Sequence, residues 1–481
     1  MTAFFVFIFQ CVSGVAQSSL MIRPNHATKV SQIHQQKSAE LHNKKNGPSL
    51  YKSKILKMKE YKSRIADLIL RQKLESSGAV LIQGPKWCGK TTTAEQLAAS
   101  KLYMNDPDEQ SENLKMASMA TRRLLTGDTP RLIDEWQLAP QLWDAVRFEV
   151  DHRDNHFGQF ILTGSAVPPD KSAIKHSGTG RFSWLTMRTM SLWESGDSTG
   201  EVSLRNLFMG GEPGGGEKKM EIERIAYLIC RGGWPATMEM SESAALRLSS
   251  NYVDAVAESD MSRVDGVSRN REYVMRLMRS YARHQGAQVS VKSLIDDMAA
   301  NEGDMSVNTI SSYLQALRMI FVIEDMSAWN PNLRSKTAIR TSDTRYFTDP
   351  SIATAALGLG PEDLLTDLNT MGLLFESMAV RDLRVYADAL DGHIYHYRDK
   401  NGLECDSVIH LRNGKYGLIE IKLGGDKLIE EGVHTLNMLE KKIDVEKMKT
   451  PAFKMVLVGV GRYAYRRDDG IMIVPIGCLK D

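Results

Sequence analysis

Two groups of residues in this chain have the types and spacing to do chemistry. The first is Gly84, Pro85, Lys86, Trp87, Cys88, Gly89, Lys90 and Thr91, with Thr92 following. It fits G-x-x-x-x-G-K-[ST] at every fixed position. The glycines let the backbone curl until its N–H groups face a phosphate chain, and a helix starting there adds positive potential. Lys90 is placed to reach the β- and γ-phosphates of ATP. Thr91 is placed to put its hydroxyl on Mg²⁺.

The second group is Asp406, Glu420 and Lys422. Thirteen residues separate the two carboxylates, and Asn413-Gly414 between them is a favoured hairpin turn. Period two puts Glu420 and Lys422 on one face of a strand, and the hairpin can bring Asp406 beside them. Two carboxylates and a lysine suit a Mg²⁺-dependent phosphodiesterase. The acids hold the metal that activates water, and the lysine steadies the developing charge. Glu376, on a preceding helix, could complete the metal shell. The alternative is a solvated hairpin with its charges on the outer face.

The flanking elements suit the phosphate loop. Residues 78–83 form a short apolar run expected to be a buried strand, and residues 92–99 are expected to be a helix. Downstream, Leu132 and Ile133 lead into Asp134 and Glu135. An Asp at the tip of a neighbouring strand can hold the Mg²⁺ shell, and the Glu beside it can orient and deprotonate water. Residues 158–165 give a further buried strand ending in Thr163 and Ser165, either of which could sense the γ-phosphate; a plain strand-ending turn is the alternative. Arg181, in the small-residue loop 176–181, could act as an arginine finger on a neighbouring subunit, or form a surface salt bridge.

The remaining segments are less specific. Gly210 to Gly216 is expected to be flexible and to open a helical lid containing helices near 222–230 and 244–258. From about 270 to 348 three helices precede a strand (321–326) and a polar loop, which outlines a winged helix. Ser306, Asn308, Thr309, Ser312 and Arg318, with Asn332, Arg334, Lys336 and Arg340, could touch DNA phosphates; protein docking is the other use of such a unit.

With both groups placed, the chain resembles prokaryotic AAA-type ATPases that carry a C-terminal conserved domain of unknown function with a PD-(D/E)xK nuclease-like fold. The resemblance covers about residues 58–481. The stretches that carry it are GPKWCGKTTTA, RLIDEWQ, QFILTGSA, HSGTGR with MRTMSLWESG, RGGWP, and ECDSV with LIEIKLG. It implies ATP and Mg²⁺ at residues 84–91 and Asp134, and a winged-helix segment between the two ends. One departure is Glu404-Cys405-Asp406, which lacks the proline of the "PD" pattern and leaves cleavage open.

The fold expected is therefore α/β. It comprises a P-loop ATPase core (58–205), a helical lid (206–265), a winged-helix-like segment (266–348) and a restriction-endonuclease-like domain (349–481). The function expected is an ATP-hydrolysing protein that couples nucleotide state to that last domain. A non-catalytic nucleotide-dependent binding regulator is the alternative. Expected partners are ATP, DNA or a protein, and further copies of the chain, with no membrane.

Composition agrees with a globular protein: 481 residues, 42% hydrophobic and 25% charged, net charge +2. That charge supplies no global basic field, so DNA contact would need a local patch. Five scattered cysteines without a C-x-x-C pair argue against a disulfide framework or a zinc site and suit the cytoplasm. Residues 3–16 are apolar like a signal h-region, but the first basic side chain is Arg23 and the run is too short to span a bilayer. Residues 17–57 are polar without period. Residues 1–57 are thus expected to be a disordered extension or a mis-called start.

Overall fold

The computed structural model describes residues 61–481, apart from 154–155, 165–177, 299–305, 331–341, 445 and 447. The extension 1–57, Ser165, the start of the 176–181 loop and Asn332, Arg334, Lys336 and Arg340 lie outside the described residues.

The first half is built on a parallel sheet. Its helices are α1 (Ile65–Leu74), α2 (Lys90–Glu95), α3 (Gln110–Ala120) and α4 (Gln141–His152), and its strands are β1 (Ala79–Gln83), β2 (Ser100–Tyr103), β3 (Arg131–Asp134), β4 (Phe160–Gly164) and β5 (Phe182–Thr186). The order across the sheet is β2–β3–β4–β1–β5. Apolar residues line both faces of β1 and β4, as a sheet covered by helices on both sides requires. One face packs Leu81, Leu162, Trp136 and Trp143; the other packs Ile82, Ile161, Leu70 and Ala94. Helix α2 is shorter than its sequence suggests, and β2 is an edge strand with Leu102 its one buried residue.

Short α5 (Leu192–Ser195) and β6 (Val202–Ser203) follow, then α6 (Ile222–Arg231) and α7 (Glu242–Ala255), which runs into a π-helical turn, Val256–Asp260. Helices α8 (Arg271–Arg283), α9 (Val291–Met298) and α10 (Val307–Met319) lie where three helices are expected. The strand expected at 321–326 is not a regular strand. It is a narrow ribbon whose antiparallel bridges join Ile323 to Phe347 and Met326 to Thr344. Phe321 turns the chain at φ 59, and the ribbon then leaves its partner to pair Ala328 with His396.

The C-terminal part follows α11 (Pro350–Leu357). A long helix, α12 (Leu368–Ala389), leads into β7 (Gly392–Arg398), β8 (Glu404–Leu411) and β9 (Tyr416–Lys422). Next come α13 (Asp426–Lys442), β10 (Phe453–Val458), β11 (Tyr465–Arg466), β12 (Met472–Pro475) and β13 (Leu479–Lys480). The mixed sheet has the order β11–β12–β10–β9–β8–β7: an antiparallel meander β7–β8–β9, with β10 parallel to β9 and β12 parallel to β10. The glycine-rich 210–216 stretch does not run free at its end. Ala464 N donates to Gly216 O (2.8 Å) and Lys218 N to Arg462 O (3.0 Å). Strand β13 also pairs with β6, so the chain's last residues bind back to the segment after the first sheet.

A buried ionic cluster joins α12 to the first half. Arg381 Nη1 lies 3.2 Å from Asp349 Oδ2 and Nη2 lies 2.7 Å from Asp382 Oδ1, with all three side chains almost fully buried. Asp349 Oδ2 also accepts from Thr189 Oγ1 (2.6 Å) and Gly233 N (2.9 Å), and Asp382 Oδ2 from Leu192 N (2.9 Å). Burial works against the Asp349 carboxylate, but Arg381 and these donors outweigh it and hold its pKa below the usual range. Arg381→Ala strips the counter-charge from two buried acids, so we expect a loss of about 3 kcal/mol, read as a lower urea midpoint. A midpoint shift too small to measure would show that the acids are neutralised another way.

Candidate functional site

The phosphate loop links β1 to α2. Its glycines are required by curvature, and Gly84 by space as well. Gly84 sits at φ 152 and a Cβ there would lie 2.0 Å from Met187 O; Gly89 caps α2 at φ 100. Trp87, without glycine's freedom, also takes a left-handed φ of 65. Lys90 is buried, and its Nζ donates to Gly84 O (2.9 Å) and Pro85 O (2.8 Å). The loop thus folds around its own lysine, whose hydrogen bonds among the described residues go to neutral carbonyls. A buried cation served this way is an apt receptor for an anion.

Strand order decides the rest. Because β4 lies between β1 and β3, Thr163 stands in register with Ile82 on one side and Asp134 on the other. Asp134 Oδ1 consequently accepts from the hydroxyls of both Thr91 (2.8 Å) and Thr163. Glu135, one residue beyond the strand, sits at a left-handed φ of 54. Gln137 donates to it. Burial raises the Glu135 pKa, offset in part by Gln137 and by the charges of Lys90 and Lys86. Lys90, Thr91, Asp134, Glu135 and Thr163 are thus brought together. Arg181 is not: its Nε donates to Asp151 Oδ1 (2.7 Å) in the same chain, the surface pair that its sequence left open.

Sequence reasoning missed the residue that braces the loop. Arg64, buried at the start of α1, donates Nη1 to Cys88 O (2.9 Å), Nη2 to Arg188 O (3.0 Å) and Nε to Glu194 Oε1 (2.9 Å). Arg188 in turn pairs with Glu324 Oε1 (2.6 Å) and Asp388 Oδ2 (2.5 Å). A chain of guanidinium contacts therefore runs from the loop backbone to the end of α12.

In the C-terminal sheet, Ser407 pairs with Ile419, so Asp406 falls opposite Glu420 on the same face. Lys422 Nζ bridges them, 3.1 Å from Asp406 Oδ2 and 2.7 Å from Glu420 Oε2. Asp406 Oδ2 also accepts from Ile421 N (2.7 Å). Glu376, on α12, accepts from Tyr346 OH and packs so close to Gly286 that a Cβ there would meet Oε1 at 2.8 Å. Burial first, and then Asp406, pushes the Glu376 and Glu420 pKa values up to about 8. Burial lowers the Lys422 pKa, but the paired acids outweigh it and raise it. Glu420 Oε1 is buried without a hydrogen-bond partner. Among the described residues, no three Asp, Glu, His or Cys side chains stand together as a metal set. The Lys422 ammonium occupies the position between the two acids.

Comparisons with known proteins match three stretches of the chain to family models. Residues 76–195 match the model of an AAA domain. Residues 222–363 match a domain of unknown function (DUF8612), and residues 371–479 another (DUF4143). The 76–195 region is thus a P-loop, AAA-type ATPase-like unit. Uncharacterized proteins of Mycobacterium bovis and Mycobacterium tuberculosis are each 23% identical over 411 residues, 84% of this chain and 82% of theirs. Among solved structures, a Walker-type ATPase of Pyrococcus abyssi aligns with TM-score 0.37 and 14% identity, over 60% of this chain and 94% of its own. The Aeropyrum pernix ORC1 protein in complex with DNA aligns with TM-score 0.24 and 12% identity, over 63% and 93%. Among the described residues no helix is long and apolar enough to cross a membrane.

Proposed function

We propose that the protein binds and hydrolyses ATP with Mg²⁺ and couples that cycle to a nuclease-like, DNA-binding C-terminal domain. One observation carries the reading: Asp134 Oδ1 gathers the hydroxyls of Thr91 and Thr163, with buried Lys90 next to Thr91 and Glu135 next to Asp134 in the chain. In this reading the backbone of residues 84–92 and Lys90 hold the phosphates. Thr91 and Asp134 hold Mg²⁺, which would screen phosphate charge when bound. Glu135 orients water and takes its proton, and Thr163 senses the γ-phosphate, with Ser165 the other candidate. Arg181 acts in trans only if it leaves Asp151, which makes a homo-oligomer part of the proposal.

The C-terminal reading is supported by the element order α12–β7–β8–β9–α13–β10 and by Asp406, Glu420 and Lys422 converging on one face. A divalent cation fits this donor set chemically. Asp406 and the buried Glu420 flank Lys422, and Glu420 Oε1 has no hydrogen-bond partner. Asp406, Glu420 and Glu376 would hold the metal, which would supply an activated water. The domain divisions at 205, 265 and 348, a winged-helix role for α8–α10 and a cytoplasmic location belong to the same proposal. A second reading, a non-catalytic regulator that docks DNA or a protein, is favoured by Lys422 filling the space between the acids.

Nucleotide titration tests the core of this. Wild-type protein with Mg²⁺ should bind ATP, and Lys90→Ala should weaken it at least about tenfold, since a charge-assisted contact to phosphate is lost. Equal affinity in both proteins would overturn the site.

A further inference from the structure

Lys86 has a partner that its place in the loop does not foretell. Its Nζ lies 2.5 Å from Asp260 Oδ1, at the end of the π-helical turn 256–260 that continues α7. The pair is asymmetric. The Asp260 side chain is 8% exposed, the Lys86 side chain 42%. π-turns inside helices are often found at functional positions. Next to the ion pair, Trp87 sets its ring edge-on to Tyr252 of α7 with centroids 5.6 Å apart, and Tyr252 packs on Trp234 at 4.5 Å. Residues 86 and 87 thus tie the outside of the phosphate loop to α7 and its π-turn by one charge pair and one ring contact.

The ammonium of Lys86 is also near the chemistry. It belongs to the phosphate loop itself, four residues before Lys90, on the stretch whose backbone would cradle the phosphates of a nucleotide. A half-exposed ammonium there has two anions to choose between: the buried Asp260 carboxylate or a phosphate oxygen. The competition has a cost on each side. If Lys86 leaves, Asp260 stays buried beside Ser259 (3.3 Å) without its countercharge, which favours release of the π-turn toward water. If Lys86 stays, the triphosphate loses a contact that a diphosphate never needed.

We propose that Lys86 is the residue by which the loop distinguishes a nucleoside triphosphate from a diphosphate, and that Asp260 holds it back until a γ-phosphate is present. This rests on the nucleotide-binding reading above. It makes α7 and its π-turn the first segment outside the ATPase sheet to register which nucleotide is bound, with the Trp87–Tyr252 contact moving with the ion pair.

Calorimetric titration with Mg·ATP and Mg·ADP tests it, using wild type, Lys86→Ala, Asp260→Asn and the double variant. Lys86→Ala should weaken ATP about tenfold more than ADP. Asp260→Asn should do the reverse, improving ATP relative to ADP. In the Lys86→Ala background, Asp260→Asn should leave the ATP-to-ADP ratio where it was, because the carboxylate acts only through the lysine. Lys86→Ala removes a half-exposed side chain and should fold even if an Asp260 variant does not, so it carries the test alone in that case. An equal change for both nucleotides in Lys86→Ala overturns the proposal. Wild-type protein that binds neither nucleotide would instead sink the nucleotide-binding reading itself. As an optical readout, ATP should change tryptophan emission in wild type more than in Trp87→Phe, and ADP should show no such difference.

Discussion

Glu135→Gln should still bind Mg·ATP with wild-type affinity while ATP turnover falls at least about 100-fold, the range expected when a positioned general base is removed. Glu135 lies past the end of β3 at φ 54, a left-handed conformation that costs a non-glycine residue free energy, held here between Asp134 and the 3-10 turn 136–138. Its carboxyl accepts from Gln137, and the positive charges of Lys90 and Lys86 act on it. Burial raises its pKa, which moves a carboxylate toward a better base near neutral pH. Glutamine keeps the size and the contact with Gln137 but cannot accept a proton. The contrast with Lys90→Ala is the informative part: one variant loses turnover and keeps affinity, the other loses affinity. Unchanged turnover in Glu135→Gln would mean that another group orients the water, and would leave Glu135 a strained turn residue.

The parts of this site that were legible in the sequence are those whose partners lie on consecutive strands. The loop, Asp134 and Thr163 each close a short apolar run, and parallel register alone then brings Thr91, Asp134 and Thr163 together. Asp406, Glu420 and Lys422 were legible for the same reason, through period two and an Asn-Gly turn. What was not legible depends on tertiary closure. Arg64 reaches Glu194, 130 residues away, and Lys86 reaches Asp260, 174 away; neither has a local pattern that announces it. Glu376 was readable as an acid on a helix, but Tyr346 and Gly286 press on it only after the ribbon folds over α12. The ribbon itself, expected as a strand, pairs only briefly with residues 344–348, through Glu324 N to Tyr346 O (2.9 Å) and Met326 N to Thr344 O (2.9 Å), while its acidic side chains reach distant arginines. Glu324 goes to Arg188, Asp325 to Arg318 and Arg345, and the chain then moves to the edge of β7. β2 escaped notice because an edge strand with one buried side chain has no alternation to show.

At the C-terminal site, Asp406→Ala and Lys422→Ala should each abolish Mg²⁺- or Mn²⁺-dependent DNA cleavage, with a loss of at least about 100-fold, while ATP turnover continues. Asp406 is the acid both others depend on. Its Oδ2 takes the Lys422 ammonium and the Ile421 N–H together, and its charge raises the pKa of both Glu376 and Glu420. The metal-free protein therefore carries a pH signature independent of cleavage. Glu376 and Glu420 titrate near 4.5 when exposed and near 8 in the fold. Between those values the folded state keeps protons that the unfolded chain releases. Their contribution is full below about pH 4.5 and is lost as pH rises to about 8, which lowers the melting temperature over that window. Asp406→Asn removes the like charge and should flatten this decline. A divalent cation needs the acids deprotonated, so its stabilising effect on melting should grow across the same window and level off above it. If the melting temperature responds to pH in this way but not to Mg²⁺ or Mn²⁺, and no DNA form is cut, Lys422 is acting as a permanent internal cation. The fold would then be a docking domain in which the ammonium replaces the metal.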